Sequence, residues 1–213
     1  MDHHLNISFK AAYSSLNEIT SNTKHIWIVC HGYGQLASHF IKRFDVFDPQ
    51  EHFVLAPQGL SKFYMKEYTN VGASWMTKED RSTDLENQRS YFDAIVDHVF
   101  GGIDLNDYEV HLLGFSQGVS TISRLAAYKE IPFSNLILWA GGFPPELTPD
   151  DFSFANSKAK LKIVLGDRDA LFRLPKFQAE INKAEKALDR PSEFIGFDGK
   201  HEVSRAVLER VII

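Results

Sequence analysis

The sequence has little of what would place it in several large classes of protein. Its single cysteine, Cys30, excludes an internal disulfide. No apolar run approaches the roughly 20 residues of a membrane span, and the amino end lacks the basic-then-apolar order of a secretory leader. Basic side chains are outnumbered by acidic ones, 23 to 28, which argues against nucleic acid as a partner. We therefore expect a cytoplasmic protein without a membrane span.

The composition is that of an ordinary globular protein, with 44% hydrophobic and 24% charged residues among 213. A compact chain of this length buries about 70% of the surface that it exposes when unfolded. Such a core is stable without disulfide bonds or bound metal ions. We find no repeat and no linker, so we predict one domain over residues 1–213. The 17 phenylalanines indicate either a Phe-packed core or, in addition, an apolar pocket.

Short apolar runs alternate along the chain with segments whose apolar residues recur at helical spacing. The runs are Ile26–Cys30, Phe53–Ala56, Val110–Leu113, Leu136–Ala140, Leu161–Leu165 and Phe194–Phe197. Most of them are continuous, as expected for strands that are buried on both faces of a sheet. The alternation predicts an α/β fold, with a mostly parallel sheet and helices on both faces. The mixed stretch Leu5–Leu16 is expected to form an antiparallel hairpin at the edge of the sheet.

The helical segments carry start and stop signals. A capping box at Thr83–Glu86 is expected to open one helix, and Gly101-Gly102 to close it. Pro175 precedes another segment, a position that favours the first helical turn. A further helix is expected over about Gly118–Tyr128, directly after a strand.

The segment Gly114-Phe115-Ser116-Gln117-Gly118 has the pattern G-x-S-x-G between a predicted strand and a predicted helix. This pattern is typical of a nucleophile elbow, a strained turn that exposes a serine hydroxyl, and both glycines are needed because side chains there would clash with neighbouring elements. A turn that only joins strand to helix is the structural alternative. Because ligands of such sheets bind at the carboxyl ends of the strands, we expect the serine to lie in the functional site.

A serine hydroxyl becomes a strong nucleophile only when a base accepts its proton, and a carboxylate must orient that base. His201 follows the last predicted strand, where a base is expected after the serine and the acid in chain order. Asp167 and Asp169 both follow an earlier strand. Asp169 is favoured as the acid because it lies farther along the loop, whereas Asp167 is suited to holding the turn through backbone amides.

The tetrahedral intermediate of acyl transfer carries a negative oxygen that needs two fixed donors. One is expected to be the amide of Gln117, directly after the serine. The other is expected from the loop after the first predicted strand, where Gly32 and Gly34 permit close approach of the backbone. The amide of Tyr33 is favoured, with that of Gly34 as the alternative.

Taken together, these residues resemble the α/β-hydrolase superfamily and, within it, the phospholipase/carboxylesterase family of small bacterial carboxylesterases and acyl-protein thioesterases. The motifs that carry the resemblance are His31-Gly32-Tyr33-Gly34, Ala56-Pro57, Ser74-Trp75, Gly114-Phe115-Ser116-Gln117-Gly118, Gly166-Asp167-Arg168-Asp169 and Gly199-Lys200-His201-Glu202-Val203. The resemblance implies an α/β-hydrolase fold, a triad of Ser116, Asp169 and His201, and an oxyanion hole at Tyr33 and Gln117. The chain departs from the family at Gln35 and Lys200, where Asp and Gly are usual.

The aromatic stretch Gln58–Trp75 follows a strand on the predicted site side and is the only sizeable element there. It is expected either to cover an acyl pocket or to pack on its own aromatics. The candidate substrate-binding residues are Phe63, Tyr64, Trp75, Phe143 and Leu171. Since no insertion is long enough for a separate lid domain, the sequence predicts soluble acyl esters of short to medium chain as substrates.

The predicted function is therefore that of a carboxylesterase-like serine hydrolase, which forms an acyl-enzyme on Ser116. Acyl-protein thioesterase or lysophospholipase activity is the alternative within the same chemistry, and a non-catalytic hydrolase-fold binding module is the alternative of another class. Residues Gly32–Ala37 also fit a G-x-G-x-x-A dinucleotide loop, but the next predicted strand lacks the acidic residue that such a site needs. No cofactor or metal is expected, and the sequence is compatible with a homodimer.

Overall fold

The computed structural model describes residues 3–173 and 176–212, without the side chain of Lys176. Pro175, the predicted helix opener, lies outside the described residues. The strands are β1 Tyr13–Leu16, β2 His25–Cys30, β3 His52–Pro57, β4 Ser61–Met65, β5 Asn70–Ser74, β6 Glu109–Phe115, β7 Asn135–Trp139, β8 Lys160–Gly166 and β9 Ser192–Phe197. The helices are α1 Ala37–Phe40, α2 Arg81–Phe100, α3 Gln117–Lys129, α4 Lys176–Leu188 and α5 Arg205–Leu208.

The described strands form a seven-stranded sheet in the order β1-β3-β2-β6-β7-β8-β9 and a separate pair, β4-β5. Every neighbouring pair in the large sheet is parallel except β1 with β3 at the edge. After β2 the chain adds β3 on one side of the sheet, and after β6 it adds β7, β8 and β9 in turn on the other side. The crevice for a ligand is therefore expected at the carboxyl ends of β2 and β6, where the strand order reverses.

The inner strands are buried along nearly their whole length, which explains their continuous apolar sequences. The apolar residues of α2 and α3 belong to the same core cluster as the strands. The mostly parallel sheet with packed helices confirms the predicted fold class. Among residues 3–173 and 176–212, no helix has the length and hydropathy that a bilayer crossing requires.

Three local predictions differ from the structure. The amino-terminal edge consists of one strand, β1, because residues 3–12 contain no strand. The segment Gln58–Trp75 contains the hairpin β4-β5, whose two strands are not among the predicted apolar runs. Helix α2 begins at Arg81, ahead of the expected capping box, because the chain turns at Asp80 with φ of 47°, and the Thr83 hydroxyl bonds the Asp80 carboxylate at 2.9 Å.

Three histidines lie together near the amino ends of β2, β3 and β6, at the opposite end of the sheet from the expected crevice. The rings of His25 and His52 stack with centroids 4.3 Å apart, and His25 Nδ1 lies 3.1 Å from His111 Nε2. The Trp27 indole donates to His52 Nδ1 at 3.1 Å, and the Asn135 amide donates to His111 Nδ1 at 3.0 Å. Because an accepting ring nitrogen carries no proton, this network requires neutral rings at His52 and His111.

Burial is the largest cause that lowers the pKa of these histidines. The pKa of His111 falls to about 3 and that of His52 to about 4, with the neighbouring histidine charges adding to the effect of burial. The pKa of His25 is also lowered. Since an unfolded histidine titrates near ~6.5, the unfolded chain binds more protons below that pH than the folded chain does. The stability that the neutral cluster contributes is therefore present above about pH 6.5 and is lost as the pH falls toward the folded values.

We predict that the free energy of unfolding falls as the pH is lowered from about 6.5 to about 5, and that His111 alone accounts for about 2 kcal/mol of the loss. Urea denaturation at the two pH values measures it. The variant His111→Gln should show a smaller loss than the wild type, whereas the same replacement at the exposed His39 should leave the loss unchanged. Equal losses in the wild type and in His111→Gln would contradict this account.

Candidate active site

Ser116 lies at the sharp turn between β6 and α3, with φ of 55° and ψ of −117°. A residue with a side chain adopts such a positive φ only where its surroundings enforce it. Close packing enforces it here, because a side chain at Gly118 would collide with the carbonyl oxygen of Cys30, and one at Gly114 with the backbone of Gly118. The Ser116 amide also donates to the Trp139 carbonyl at 2.9 Å. The strained turn is thus held between β2 and β7, with the serine half-buried.

His201 lies in the loop between β9 and α5 and contacts both Ser116 and Asp169. Its Nε2 is 3.0 Å from Ser116 Oγ, and its Nδ1 is 2.7 Å from Asp169 Oδ2. A carboxylate only accepts hydrogen bonds, so Nδ1 carries the proton and Nε2 presents its lone pair to the serine hydroxyl. The rings of Phe115 and Phe172 lie against the imidazole, with centroids 4.8 and 6.0 Å away. The ring is therefore held by packing as well as by its carboxylate.

The two aspartates of the loop after β8 have different partners. Asp169 is 2% exposed, and its second oxygen, Oδ1, accepts the amides of Leu171 and Phe172 at 2.8 and 3.0 Å. Both of its oxygens are thereby fixed, one by the backbone and one by the imidazole. Asp167 Oδ1 instead accepts the amide of Gly199 at 3.1 Å, in the loop that carries the histidine. Of the two candidates for the acid, the structure brings Asp169 to the histidine.

The backbone amides of Tyr33 and Gln117, the expected oxyanion donors, donate no hydrogen bond to any residue that the structure describes. The Gln117 amide is the first of the 13-residue helix α3, where amides have no intrahelical acceptor. The helix amino terminus also favours a negative charge. The amide of Gly34, the alternative donor, is bonded to the Ala73 carbonyl at 2.8 Å. Of these two candidates in the loop, Tyr33 therefore has the free amide.

Buried polar side chains orient the loop that carries Tyr33. His31 Nε2 accepts the Gly59 amide at 3.0 Å, so its Nδ1 is protonated and donates to the Gly32 carbonyl at 2.9 Å. The Gly32 carbonyl and the Tyr33 amide belong to one trans peptide and point in opposite directions. Holding the carbonyl thus fixes the direction of the Tyr33 N–H. Gln35, at the position where the resembled family usually has Asp, accepts the Gly32 amide through Oε1 at 2.8 Å.

The hydrogen bonds by which the side chains of His31 and Gln117 support the site were not predicted from the sequence. Burial lowers the pKa of His31 to about 4, which keeps the ring neutral in its orienting role. The Gln117 side chain accepts the Trp75 amide at 3.0 Å and donates to the Met76 carbonyl at 2.8 Å, which ties α3 to the segment after β5. A histidine-glycine pair at a strand exit was a usable signal for His31. A single glutamine carries no such signal, because most glutamines are solvated.

Two of the predicted substrate-binding residues are part of the core. Trp75 is 2% exposed, and its indole donates to the His31 carbonyl at 2.8 Å. Phe143 is also buried and lies against the ring of Phe152. Protein atoms surround both side chains, so neither is accessible to a ligand in this structure.

The remaining three predicted substrate-binding residues are accessible. Phe63 is half-buried in β4, with its ring centroid 5.2 Å from that of Tyr33. Tyr64 is exposed on the other face of the hairpin, where its ring meets Tyr68. Leu171, two residues after Asp169, is 65% exposed. Open apolar surface therefore lies in the loops that carry the expected acid and the expected oxyanion donor.

Among the described residues, no group of three His, Cys, Asp or Glu side chains has an arrangement that could hold a metal ion. No protein-family model and no curated protein matches the sequence.

Solved structures resemble the chain over nearly its whole length. Acyl-protein thioesterase 2 of Zea mays is 15% identical with a TM-score of 0.67, over 95% of this chain and 96% of that one. The carboxylesterase of Bacillus cereus is 12% identical with a TM-score of 0.63, over 94% and 91%. The carboxylesterase of Mesorhizobium loti is 13% identical with a TM-score of 0.63, over 88% of both chains. Likeness at this level of identity reports on the fold, and the chain has the α/β-hydrolase fold of these esterases and thioesterases.

Proposed function

We propose that the protein is a serine hydrolase that cleaves short- to medium-chain acyl esters through an acyl-enzyme on Ser116. The observation that carries the proposal is the continuous series of contacts from Asp169 Oδ2 to His201, 2.7 Å, and from His201 to Ser116 Oγ, 3.0 Å. Both distances lie within hydrogen-bond reach, as a nucleophile, its base and the group that orients the base require.

In the proposed reaction, Ser116 Oγ attacks the ester carbonyl carbon as its proton moves to His201 Nε2. The carbonyl oxygen becomes negative and accepts the amides of Tyr33 and Gln117. Asp169 stabilises the imidazolium without taking its proton. Collapse of the intermediate breaks the bond to the alcohol, which leaves with the proton from Nε2. Water then attacks the acyl-serine with Nε2 as base, and the carboxylic acid and free serine are released.

The accessible apolar side chains next to the reacting groups support short to medium acyl chains. Leu171 and Tyr33 are 65% and 61% exposed, so they form open walls and not an enclosed tunnel. Fully burying a methylene contributes ~0.8 kcal/mol, and a half-open wall contributes less for each added carbon. The gain should end where the chain passes these side chains and returns to water.

Replacing Asp169 or Asp167 by asparagine, one at a time, separates the roles of the two aspartates. Asp169→Asn should lower kcat for a p-nitrophenyl ester by roughly 10⁴-fold, because it removes the charge that sets the histidine tautomer. Asp167→Asn keeps an acceptor for the Gly199 amide and should retain kcat within a few-fold. Ser116→Ala supplies the baseline, with an expected loss of up to ~10⁶-fold. A larger loss in Asp167→Asn than in Asp169→Asn would overturn the assignment, and near-full activity in Ser116→Ala would leave a non-catalytic binding module.

The acyl preference is tested with p-nitrophenyl esters of increasing chain length. We expect kcat/KM to rise over the first few carbons, by less than about fourfold per methylene, and then to level off or fall. Leu171→Ala should reduce this rise without changing the rate on acetate, whereas Leu5→Ala, at an exposed site on the amino-terminal segment, should change neither. Strong activity on emulsified long-chain triglyceride would contradict the open-wall account. A parallel series of thioesters distinguishes esterase from thioesterase preference.

A further inference from the structure

A cavity lies away from Ser116, between α2, α3 and the segment after β7. Its volume is about 570 Å³, within the range of pockets that bind small molecules. Among the residues that line it, Arg124 lies eight positions along α3 from Ser116, which corresponds to about 12 Å of helix. None of the residues that line it belongs to the proposed reacting groups. A ligand in this cavity would therefore occupy a site of its own.

The charged residues of the cavity leave an excess of positive charge. Arg81, Arg89 and Arg124 face two carboxylates, Glu146 and Asp151, which makes a formal charge of +1. The side chain of Arg81 has no hydrogen bond or ion pair with any described residue. It therefore has its donors free for a ligand.

Arg124 is the most enclosed of the three arginines. Its side chain is 12% exposed, and Glu146 pairs with it at 2.6 Å. Burial lowers the pKa of Arg124, Glu146 raises it, and the charge of Arg81 lowers it again. Arg81 and Arg124 are thus close enough for their charges to repel each other. Glu146 neutralises Arg124, whereas Arg81 has no carboxylate partner among the described residues.

The rest of the wall is largely apolar. Leu85 and Phe92 contribute from α2, Ala127 and Tyr128 from α3, and Leu147 from the segment after β7. The guanidinium of Arg89 lies over the Tyr128 ring, 5.4 Å from its centroid, at the exposed side of this wall. An apolar body can therefore lie against the two helices while a charged end meets the arginines.

We infer that this cavity binds a small monocarboxylate with an apolar body. Arginine matches a carboxylate in both charge and geometry, and Arg81 has its donors free. The net charge of +1, with Glu146 and Asp151 in the wall, favours one negative charge over the two of a phosphate monoester. The inference does not depend on the hydrolase proposal, because it uses a different set of residues.

The probe is 4-phenylbutyrate, followed by chemical-shift changes in the NMR spectrum of the whole protein, with the uncharged 4-phenylbutanamide as the matched ligand. For a molecule of this size we expect a Kd on the order of 1 mM. Arg81→Gln should weaken binding of the carboxylate by about fivefold or more while hardly affecting the amide. Arg43→Gln makes the same change of charge at an exposed position outside the cavity and should leave the Kd unchanged.

A third variant tests the space and not the charge. Ala127→Phe fills the cavity from α3 and should abolish binding of both compounds, with the thermal midpoint serving as a check that the protein is folded. Unchanged binding in Arg81→Gln and in Ala127→Phe would show that the compound binds elsewhere and would overturn the inference. Equal affinity for the carboxylate and the amide, or no binding, would overturn it too. If Ala127→Phe does not fold, Arg81→Gln against Arg43→Gln decides the question alone.

Discussion

The architecture of the site depends on how closely the amino end of α3 approaches the carboxyl end of β2. Gly118 lies so near the carbonyl oxygens of Cys30 and His31 that no side chain fits between them. This approach places the Gln117 amide beside the loop that carries the Tyr33 amide, and it forces Ser116 into a conformation with φ of 55°. Such strain costs about 1–3 kcal/mol and persists only where the surroundings over-determine it.

The surroundings that impose this conformation are the buried central strands. Strands β2, β6 and β7 are paired in parallel. The Ser116 amide extends the backbone hydrogen bonds between β6 and β7 by donating to the Trp139 carbonyl at 2.9 Å. A serine on a surface loop would relax to an ordinary turn. The rigid end of the sheet prevents this, so the Ser116 hydroxyl is held at a fixed place, where His201 contacts it from the loop after β9. Asp169, in the loop after β8, contacts the other side of the His201 ring.

Buried polar side chains behind the reacting groups orient the loop that carries Tyr33. The buried His31 ring connects the Gly59 amide to the Gly32 carbonyl and so sets the direction of the Tyr33 N–H. Gln58 accepts the Ala37 amide at 2.9 Å and lies 3.2 Å from His31 Nε2, which joins α1 to the same network. In a low-dielectric interior such a network is rigid when every member is satisfied.

The strands were predictable from the sequence because a strand buried on both faces must be apolar throughout. The positions of Ser116, Asp169 and His201 were predictable because glycine spacing and strand exits are local features of the sequence. Three features were not predictable for physical reasons. The hairpin β4-β5 depends on pairing between two short strands that are only partly buried and lack a continuous apolar sequence. The burial of Trp75 depends on tertiary packing, and the start of α2 depends on a left-handed turn at Asp80.

The account rests on Ser116 being an activated nucleophile, and its reaction with a fluorophosphonate tests this most directly. An activated serine attacks the phosphorus, fluoride leaves, and the adduct is stable. Intact-mass measurement followed by peptide mapping should find one rapidly formed adduct, located on Ser116, that is absent in Ser116→Ala and strongly slowed in His201→Ala. No adduct on the folded wild-type protein, or an adduct that persists at an equal rate in Ser116→Ala, would contradict the account.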